Sequence, residues 1–491
     1  MNPIKQLFGQ TAVYGFGTVV PRLLNYLLLT PFFTRVFNLG EYGVVTELYA
    51  YVVFLMILLT YGMETGYFRY AQLYRNSTDV FSTSIVSLMV TSGGFILLIS
   101  LCSESLAAWL GYGGHPEYIR WIGWMVGIDA FTAIPFVRLR WENKAAKFAT
   151  IRIASVLLNV SLNFAFLYFI PELYRKGIPP DWIDRLYNPE IRVGYVFISN
   201  LAASIFTLLL LTGTIFRMKM KFNAELLVKM LSYSFPLLIA GVAGTINETL
   251  DRVLLKHLLP DHSTALQQLG VYGANYKIAV LMTLFVQMFR YAGEPFFFSK
   301  ADSPDARELF AAVMKYFILA GLVIFLGVML YLDLFKHFIG IAFRGGLNIV
   351  PIILLGNFLL GIFFNLSIWY KLNNMTRYGA FITLMGSAIT FLLNWIFIPL
   401  YGYMASAWAH VACYGSMVIV SYIIGQKYYR IPYPVKSIGL YVMMALTIFV
   451  VASFAGNAAL AVRLSINTLL LAGFSFVVYI MERKKIRKLS Y

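Results

Sequence analysis

Fourteen stretches of about 20 apolar residues follow one another along this chain, and no other feature limits its fold as severely. They lie near 12–36, 42–63, 82–103, 119–137, 148–170, 192–216, 231–256, 269–292, 310–333, 347–370, 378–399, 402–425, 437–456 and 463–481. About 20 such residues cross the hydrocarbon core of a bilayer as a helix. Within that core each backbone N–H and C=O must be satisfied inside the chain, and a helix does this for itself. The expectation is an all-α polytopic membrane protein of about fourteen transmembrane helices. Charged residues make up 12% of the sequence, half the ~25% usual in soluble domains, so lipid is the solvent. The runs at 378–399 and 402–425 are split only by "PLYGY", which leaves one reentrant hairpin as an alternative there. The first run contains Arg22 and continues too long for a cleavable signal peptide. Cys102 and Cys413 both fall in apolar runs and read as buried small hydrophobes, with no disulfide or metal site expected.

A net charge of +17 could point to nucleic acid, but its distribution points to topology. With both termini on one side, alternate loops and ends on that side collect 25 Lys and Arg, and the opposite loops collect 11. Such a split places the termini in the cytoplasm and favours an even number of spans. The longest hydrophilic insert, "PELYRKGIPPDWIDRLYNPEIR" at 171–192, falls outside and nearly cancels its own charge.

The segment "LGEYG" at 39–43 returns as "LGVYG" at 269–273. At that offset, residues 39–71 and 269–301 share eight identities in 33 positions, where about two or three would arise by chance in this composition. Both copies begin on the same side, so a duplication would give two parallel repeats, an arrangement used by transporters. The expected organisation is an N-terminal lobe at 1–222 (helices 1–6) and a C-terminal lobe at 223–430 (helices 7–12). An appended helix pair with a basic tail follows at 431–491.

An ionisable group at mid-bilayer costs about 2.5–3.5 kcal/mol on insertion scales, so those present face a cavity or a partner. Arg22 shares a helical face with Thr18 and Asn25. Its fork of donors suits phosphate, and a structural hydrogen bond to a neighbouring helix is the plainer alternative. In "NETLDRVL" at 247–254, Glu248 and Arg252 are spaced to pair, which leaves Asp251 over. Asp251, Glu248 and the isolated Asp129 are candidates for coupling to H⁺ or Na⁺, or for interface bonds. Glu47 falls over Lys277 at the repeat offset, which makes them candidates for an ion pair closing the outer side, or for two separately snorkelling interfacial side chains. Arg290, four residues before Glu294, is a second anion ligand or a helix-end pair. His410 reads as a satisfied interhelical hydrogen bond.

"VVPRLLNYLLLTPFFTRVFNLGEYG" followed by "YGMETGYFRYA" resembles the polysaccharide-transport branch of the multidrug/oligosaccharidyl-lipid/polysaccharide exporter superfamily. Members of that branch commonly open with an Arg in the first span, a closing Arg, an LG-x-x-x-G turn and a second span ending near an Arg. Here those are Arg22, Arg35, Leu39–Gly43 and Arg69. The resemblance implies a flippase for undecaprenyl-pyrophosphate-linked oligosaccharide in a bacterial inner membrane, for O-antigen or capsule assembly. Two lobes would rock about a cationic cavity, with Arg22, Arg290 and Lys277 on the diphosphate. It implies no cofactor, and as partners the lipid-linked oligosaccharide, the bilayer and other polysaccharide-assembly proteins. Within the superfamily a lipid II flippase or a multidrug antiporter is the alternative. From another class, a membrane-embedded glycosyltransferase or polymerase would need outer catalytic groups, for which "DWID" at 181–184 is the available segment.

Overall fold

The structure, a computed structural model, describes residues 19–74, 77–177, 187–215, 221–454 and 459–489, with no strand among them. Of the first expected span, 12–18 lies outside the described residues, and 19–36 is helical throughout (α1). Thirteen further helices are long and apolar enough to cross a membrane. They are α2 (Leu39–Leu73), α3 (Thr78–Trp109), α4 (Pro116–Trp141), α5 (Ala145–Arg175), α6 (Gly194–Ile215), α7 (Ala224–Leu258) and α8 (His262–Ser299). After these come α9 (Ala306–Leu330), α10 (Ile341–Leu372), α11 (Thr376–Tyr401), α12 (Tyr403–Tyr428), α13 (Val435–Phe454) and α14 (Leu460–Arg483). The reentrant hairpin is ruled out: α11 and α12 each run 26 residues, about 39 Å of helix.

The repeated turn does different local work in its two copies. In the first copy it opens α2 through a capping box: Asn38 accepts from the Glu41 amide at 2.9 Å, and Glu41 accepts from the Asn38 amide at 2.9 Å. In the second copy the segment lies inside α8, which starts at His262. There Asp261 takes over as cap, accepting from the Ser263 amide at 2.9 Å and the Thr264 hydroxyl at 3.0 Å. Hydrogen bonds from Ser263 and then Thr264 hold the Asp261 carboxyl below its usual range. The copies also differ at their far ends. Helix α2 breaks at Tyr61 and Gly62, both left-handed at φ 32° and 72°, a conformation glycine adopts without steric cost. The matching position in α8 is Ala292, and that helix runs on.

What the repeated glycines share is packing. A Cβ on Gly43 would overlap the carbonyl of Leu266, and one on Gly270 would overlap the carbonyl of Leu39. The start of α2 and the start of α8 therefore touch backbone to backbone, each glycine admitting the other copy's chain.

By contacts the chain forms two compact units, one of Met1–His257 with Asp261–Gly270, the other of Leu258–Pro260 with Val271–Tyr491. This division differs from the repeat boundary at 222/223, because α7 belongs by contact to the first unit. Its Ser234 hydroxyl donates to the Gly62 carbonyl at 3.3 Å, and Tyr70 donates to the Lys229 carbonyl at 2.9 Å. Arg69 stacks over Tyr233 at 4.5 Å. In the second unit the appended pair docks on α9. Lys315 pairs with Glu482, which also accepts from Tyr441 at 2.7 Å. Asn467 donates to the Leu330 carbonyl at 2.5 Å, and Tyr331 bonds Thr468 at 2.6 Å. Segment 431–491 is thus an integral part of the second unit.

Adding a methyl at the glycine crossing should strain it by about 1–3 kcal/mol. Gly270→Ala is expected to lower the temperature at which the detergent-solubilised protein loses its monodisperse elution peak. Gly94→Ala, where a Cβ meets nothing within 4 Å, should not. Equal shifts for both would remove the crossing as a constraint.

Candidate functional site

In the first unit a group of charges gathers where the loop-charge pattern expects the cytoplasmic end. Arg140, in the last turn of α4, donates to Glu64 of α2 at 2.8 Å. The Arg152 guanidinium of α5 stacks over Phe136 at 3.9 Å. Asp129, Glu64, Arg140 and Arg22 all lie within electrostatic reach of Arg152. Asp129 hydrogen-bonds the Ser204 side chain of α6. Three cations thus sit with two carboxylates on four helices, and Ser204 brings in a fifth. Arg22 is exposed on α1, one turn before a π-helical turn at Asn25–Leu29, a distortion frequent at functional sites. The Asn25 side-chain oxygen is buried with no hydrogen-bond partner among the described residues. Thr18, expected on the same face, lies outside the described residues.

The second unit carries a counterpart. Lys371, at the end of α10, donates to Glu294 of α8 at 2.6 Å, and Arg290 approaches the same carboxylate at 3.6 Å. Arg290 also lies over Phe364 at 5.0 Å. Phe289, Phe364, Ser367 and these three charged side chains line a small cavity. The helix-end alternative for Arg290 is therefore formed, and Lys371 is an addition that the sequence did not single out.

The two arrangements are copies. Glu64 and Glu294 are 230 apart, and their partners Arg140 and Lys371 are 231 apart. Three residues beyond each cation stands an asparagine in the left-handed region, Asn143 at φ 57° and Asn374 at φ 56°. In both copies the next amide closes a 2.8 Å bond to the carbonyl five residues back, Lys144 to Leu139 and Met375 to Tyr370. This is the Schellman close of a helix, with asparagine in glycine's usual place. The segments "LRWENK" and "YKLNNM" share one identity, so the sequence alone conceals the match. Beside the first copy, burial would raise the Glu142 carboxyl, but hydrogen bonds from Lys144 and Arg138 outweigh it and hold the group below its ordinary range.

At the opposite end of the first unit, Glu47 is fully buried and its partner is Lys256 of α7, at 2.8 Å. The repeat offset had assigned it Lys277, and that pairing is corrected. The physical reason is satisfaction: Tyr112 also donates to Glu47, and Lys256 donates to the Leu110 carbonyl at 2.6 Å and sits 4.0 Å over the Tyr112 ring. His257 stands 4.0 Å from the same carboxylate and 3.1 Å from the Tyr51 hydroxyl. Lys277 is exposed on α8, in the second unit. On α7, Asp251 is buried and accepts from the Arg252 amide at 2.8 Å, and Glu248 is exposed. His410 behaves as expected, 3.1 Å from Asn357. "DWID" at 181–184 lies outside the described residues.

Removing one partner of a buried ion pair costs about 3–5 kcal/mol, because the other charge is left uncompensated. Lys256→Met should therefore lower thermal stability sharply, and adding Glu47→Gln should restore much of it. A double variant no more stable than Lys256→Met would show that the pair is not coupled.

No curated protein matched this sequence. Residues 185–299 match the family model "Polysaccharide biosynthesis protein". Among solved structures, the chain is similar to an inward-facing multidrug resistance MATE family transporter of the MOP superfamily, with TM-score 0.65 and 13% identity over 84% of this chain and 94% of that one. It is similar to the lipid II flippase MurJ in an inward closed conformation, with TM-score 0.61 and 17% identity over 94% and 99%. A MATE family transporter in the outward-facing conformation matches at TM-score 0.58 and 14% identity over 87% and 96%. The chain therefore has the fold of the MOP exporter superfamily, the multidrug/oligosaccharidyl-lipid/polysaccharide exporters, and carries a segment matching polysaccharide biosynthesis proteins.

Proposed function

We propose that the protein is a flippase that moves a polyprenyl-pyrophosphate-linked oligosaccharide from the inner to the outer leaflet of a bacterial inner membrane, by alternating access. The observation that carries this reading is the excess of exposed cations well inside the spans: Arg22, Arg152, Lys277 and Arg290, against the carboxylates Glu104 and Glu248. A diphosphate with sugars attached cannot enter hydrocarbon unaided, because its polar groups would lose their hydrogen bonds. Guanidinium groups offer such a headgroup paired donors, while the polyprenyl tail stays in lipid. The polysaccharide family match supports a glycan cargo. The likeness to MurJ keeps a lipid II substrate as the second reading. A multidrug antiporter moving cations fits less well, since the accessible charges would repel its cargo, and a glycosyltransferase would have no use for paired repeats.

Arg22 with Arg152 would offer donors to a phosphate in the first unit, and Arg290 would do so in the second. Net outward movement needs a driving force. A membrane potential supplies about 2.3 kcal/mol per elementary charge per 100 mV. H⁺ or Na⁺ would couple through Asp129, Asp251 or Glu248, and Asp129 is favoured because it sits within reach of Arg152. The glycan would be an O-antigen, capsule or exopolysaccharide repeat unit, handed on to other assembly proteins of the membrane.

The test is reconstitution in liposomes with a fluorescent lipid-linked oligosaccharide, following its appearance in the leaflet opposite to loading. Arg22→Ala and Arg152→Ala should each slow translocation about tenfold or more, the loss of a charged hydrogen bond. Lys176→Ala, at an exposed helix end, should not. Translocation by Arg22→Ala at the native rate would remove that residue from the pathway. Under an imposed pH gradient, Asp129→Asn should make the rate indifferent to the gradient, and an undiminished response would exclude Asp129 as the coupling group.

A further inference from the structure

Among the described residues, four ion pairs that join the long membrane-spanning helices within a unit fall into two kinds, while Arg463–Asp333 ties α14 to the short helix Leu332–Phe335. Glu47–Lys256 and Lys315–Glu482 are buried, their side chains 0%, 14%, 7% and 2% exposed. Glu64–Arg140 and Glu294–Lys371 are open, at 46%, 36%, 40% and 27%. The open pairs are the mirrored ones, each built on the same left-handed asparagine turn. A buried pair cannot part without stranding a charge. A half-exposed pair contributes only about 0–1 kcal/mol, so either partner can be exchanged for another ion of like charge. That the same acid–base contact recurs at matching positions in both units is not needed for so small a gain in stability.

The charge balance shows what the exchange would admit. In the first unit Arg22, Arg140 and Arg152 face Glu64 and Asp129, and in the second Arg290 and Lys371 face Glu294. Each group has one more cation than carboxylates. A carboxylate held by such cations occupies the place that two oxygens of a phosphoryl group would take, since both anions accept paired hydrogen bonds. Arg290, Glu294, Ser367 and Lys371 border a cavity of about 10 Å³ in the second unit, so a phosphoryl group would take the place of the carboxylate and not an empty space beside it.

We propose that Glu64 and Glu294 are resident counter-anions, which a phosphoryl group of the substrate displaces from Arg140 and Arg152 in one unit and from Lys371 and Arg290 in the other. The ligand class is a phosphate or diphosphate ester. This rests on the flippase reading above. The displaced carboxylate is the means of release: it recovers its cation when the phosphate leaves, so binding stays reversible in a strongly basic site.

The experiment measures equilibrium binding to the full-length protein in nanodiscs with three probes: farnesyl diphosphate, inorganic pyrophosphate, and farnesol as the tail alone. Removing the competitor should tighten binding, so Glu64→Gln and Glu294→Gln are each expected to bind farnesyl diphosphate about three- to fivefold more tightly than the native protein. Arg140→Gln and Lys371→Gln should shift affinity in the opposite direction, which guards against a general effect of altered folding. Glu225→Gln removes an inner-end acid that pairs with Lys229 on its own helix and should leave affinity unchanged. A matching gain for inorganic pyrophosphate would support a site for phosphate from either source, and a gain confined to farnesyl diphosphate would support the lipid-linked one. Unchanged affinity in both glutamine variants, an equal gain in Glu225→Gln, or an equal gain for farnesol would overturn the exchange. If the native protein binds neither diphosphate probe, the flippase reading of these cations itself fails.

Discussion

Charge placed inside a low-dielectric span must be compensated where it stands, and the architecture of both units follows from how this chain meets that demand. Glu47 is the strictest case. Fully enclosed, it draws Tyr112 from the turn between α3 and α4 and Lys256 from α7 to a single point. Three separate segments are thereby fixed by one carboxylate. Lys315 and Glu482 do the same in the second unit, tying α9, α13 and α14 together with Tyr441 as the third donor. Hydrophobic burial cannot specify such junctions, because lipid is as apolar as the helices it surrounds. Polar contacts and close backbone approach, as at Gly43 and Gly270, supply the register instead.

The same logic explains why the compact units do not coincide with the sequence repeat. By the sequence repeat α7 would open the second copy, yet its polar contacts run to the first unit at both ends: Ser234 and Lys229 towards α2 at one end, and Lys256 to Glu47 at the other. A repeat records duplication of sequence, whereas a unit records which contacts the helix makes. In this chain a single helix separates the two descriptions.

Much of the fold was legible because membrane spans announce themselves by length and apolarity, a signal that needs no knowledge of partners. Spans α2 to α14 all coincide with expected runs, with ends extended by interfacial residues such as Tyr428 and Lys371 that hydropathy discounts. The site was less legible. Arg22, Arg290 and Asp129 stood out as charges in apolar runs, but Arg152 sits eight residues into α5 and passed as a loop cation. Lys371 and Arg140 lie at helix ends, where a basic residue is ordinary. Their significance depends on Glu64 and Glu294, 76 and 77 residues away in the chain, and one shared asparagine was too little for sequence comparison to detect. Glu47 failed in an instructive way. The repeat offset located a residue of equivalent position, and equivalence of position does not imply contact, because α8 starts seven residues ahead of its copy of the turn.

The sign of the accessible charge bears on cargo independently of how the units are arranged. Within the spans, Arg22, Arg152, Lys277 and Arg290 are exposed, and Glu104 and Glu248 stand against them as exposed carboxylates. A cation at the bilayer centre costs about 2.5–3.5 kcal/mol on insertion scales, and less towards a helix end. On the proposed function these side chains would face water, and within each unit they would attract anions over the Debye length, about 8 Å at physiological ionic strength. The carboxylates that could reverse this preference, Glu64 and Glu294, are already engaged by Arg140 and Lys371. On the proposed function, selection for an anionic headgroup would rest on charge and would need no sugar-specific contact.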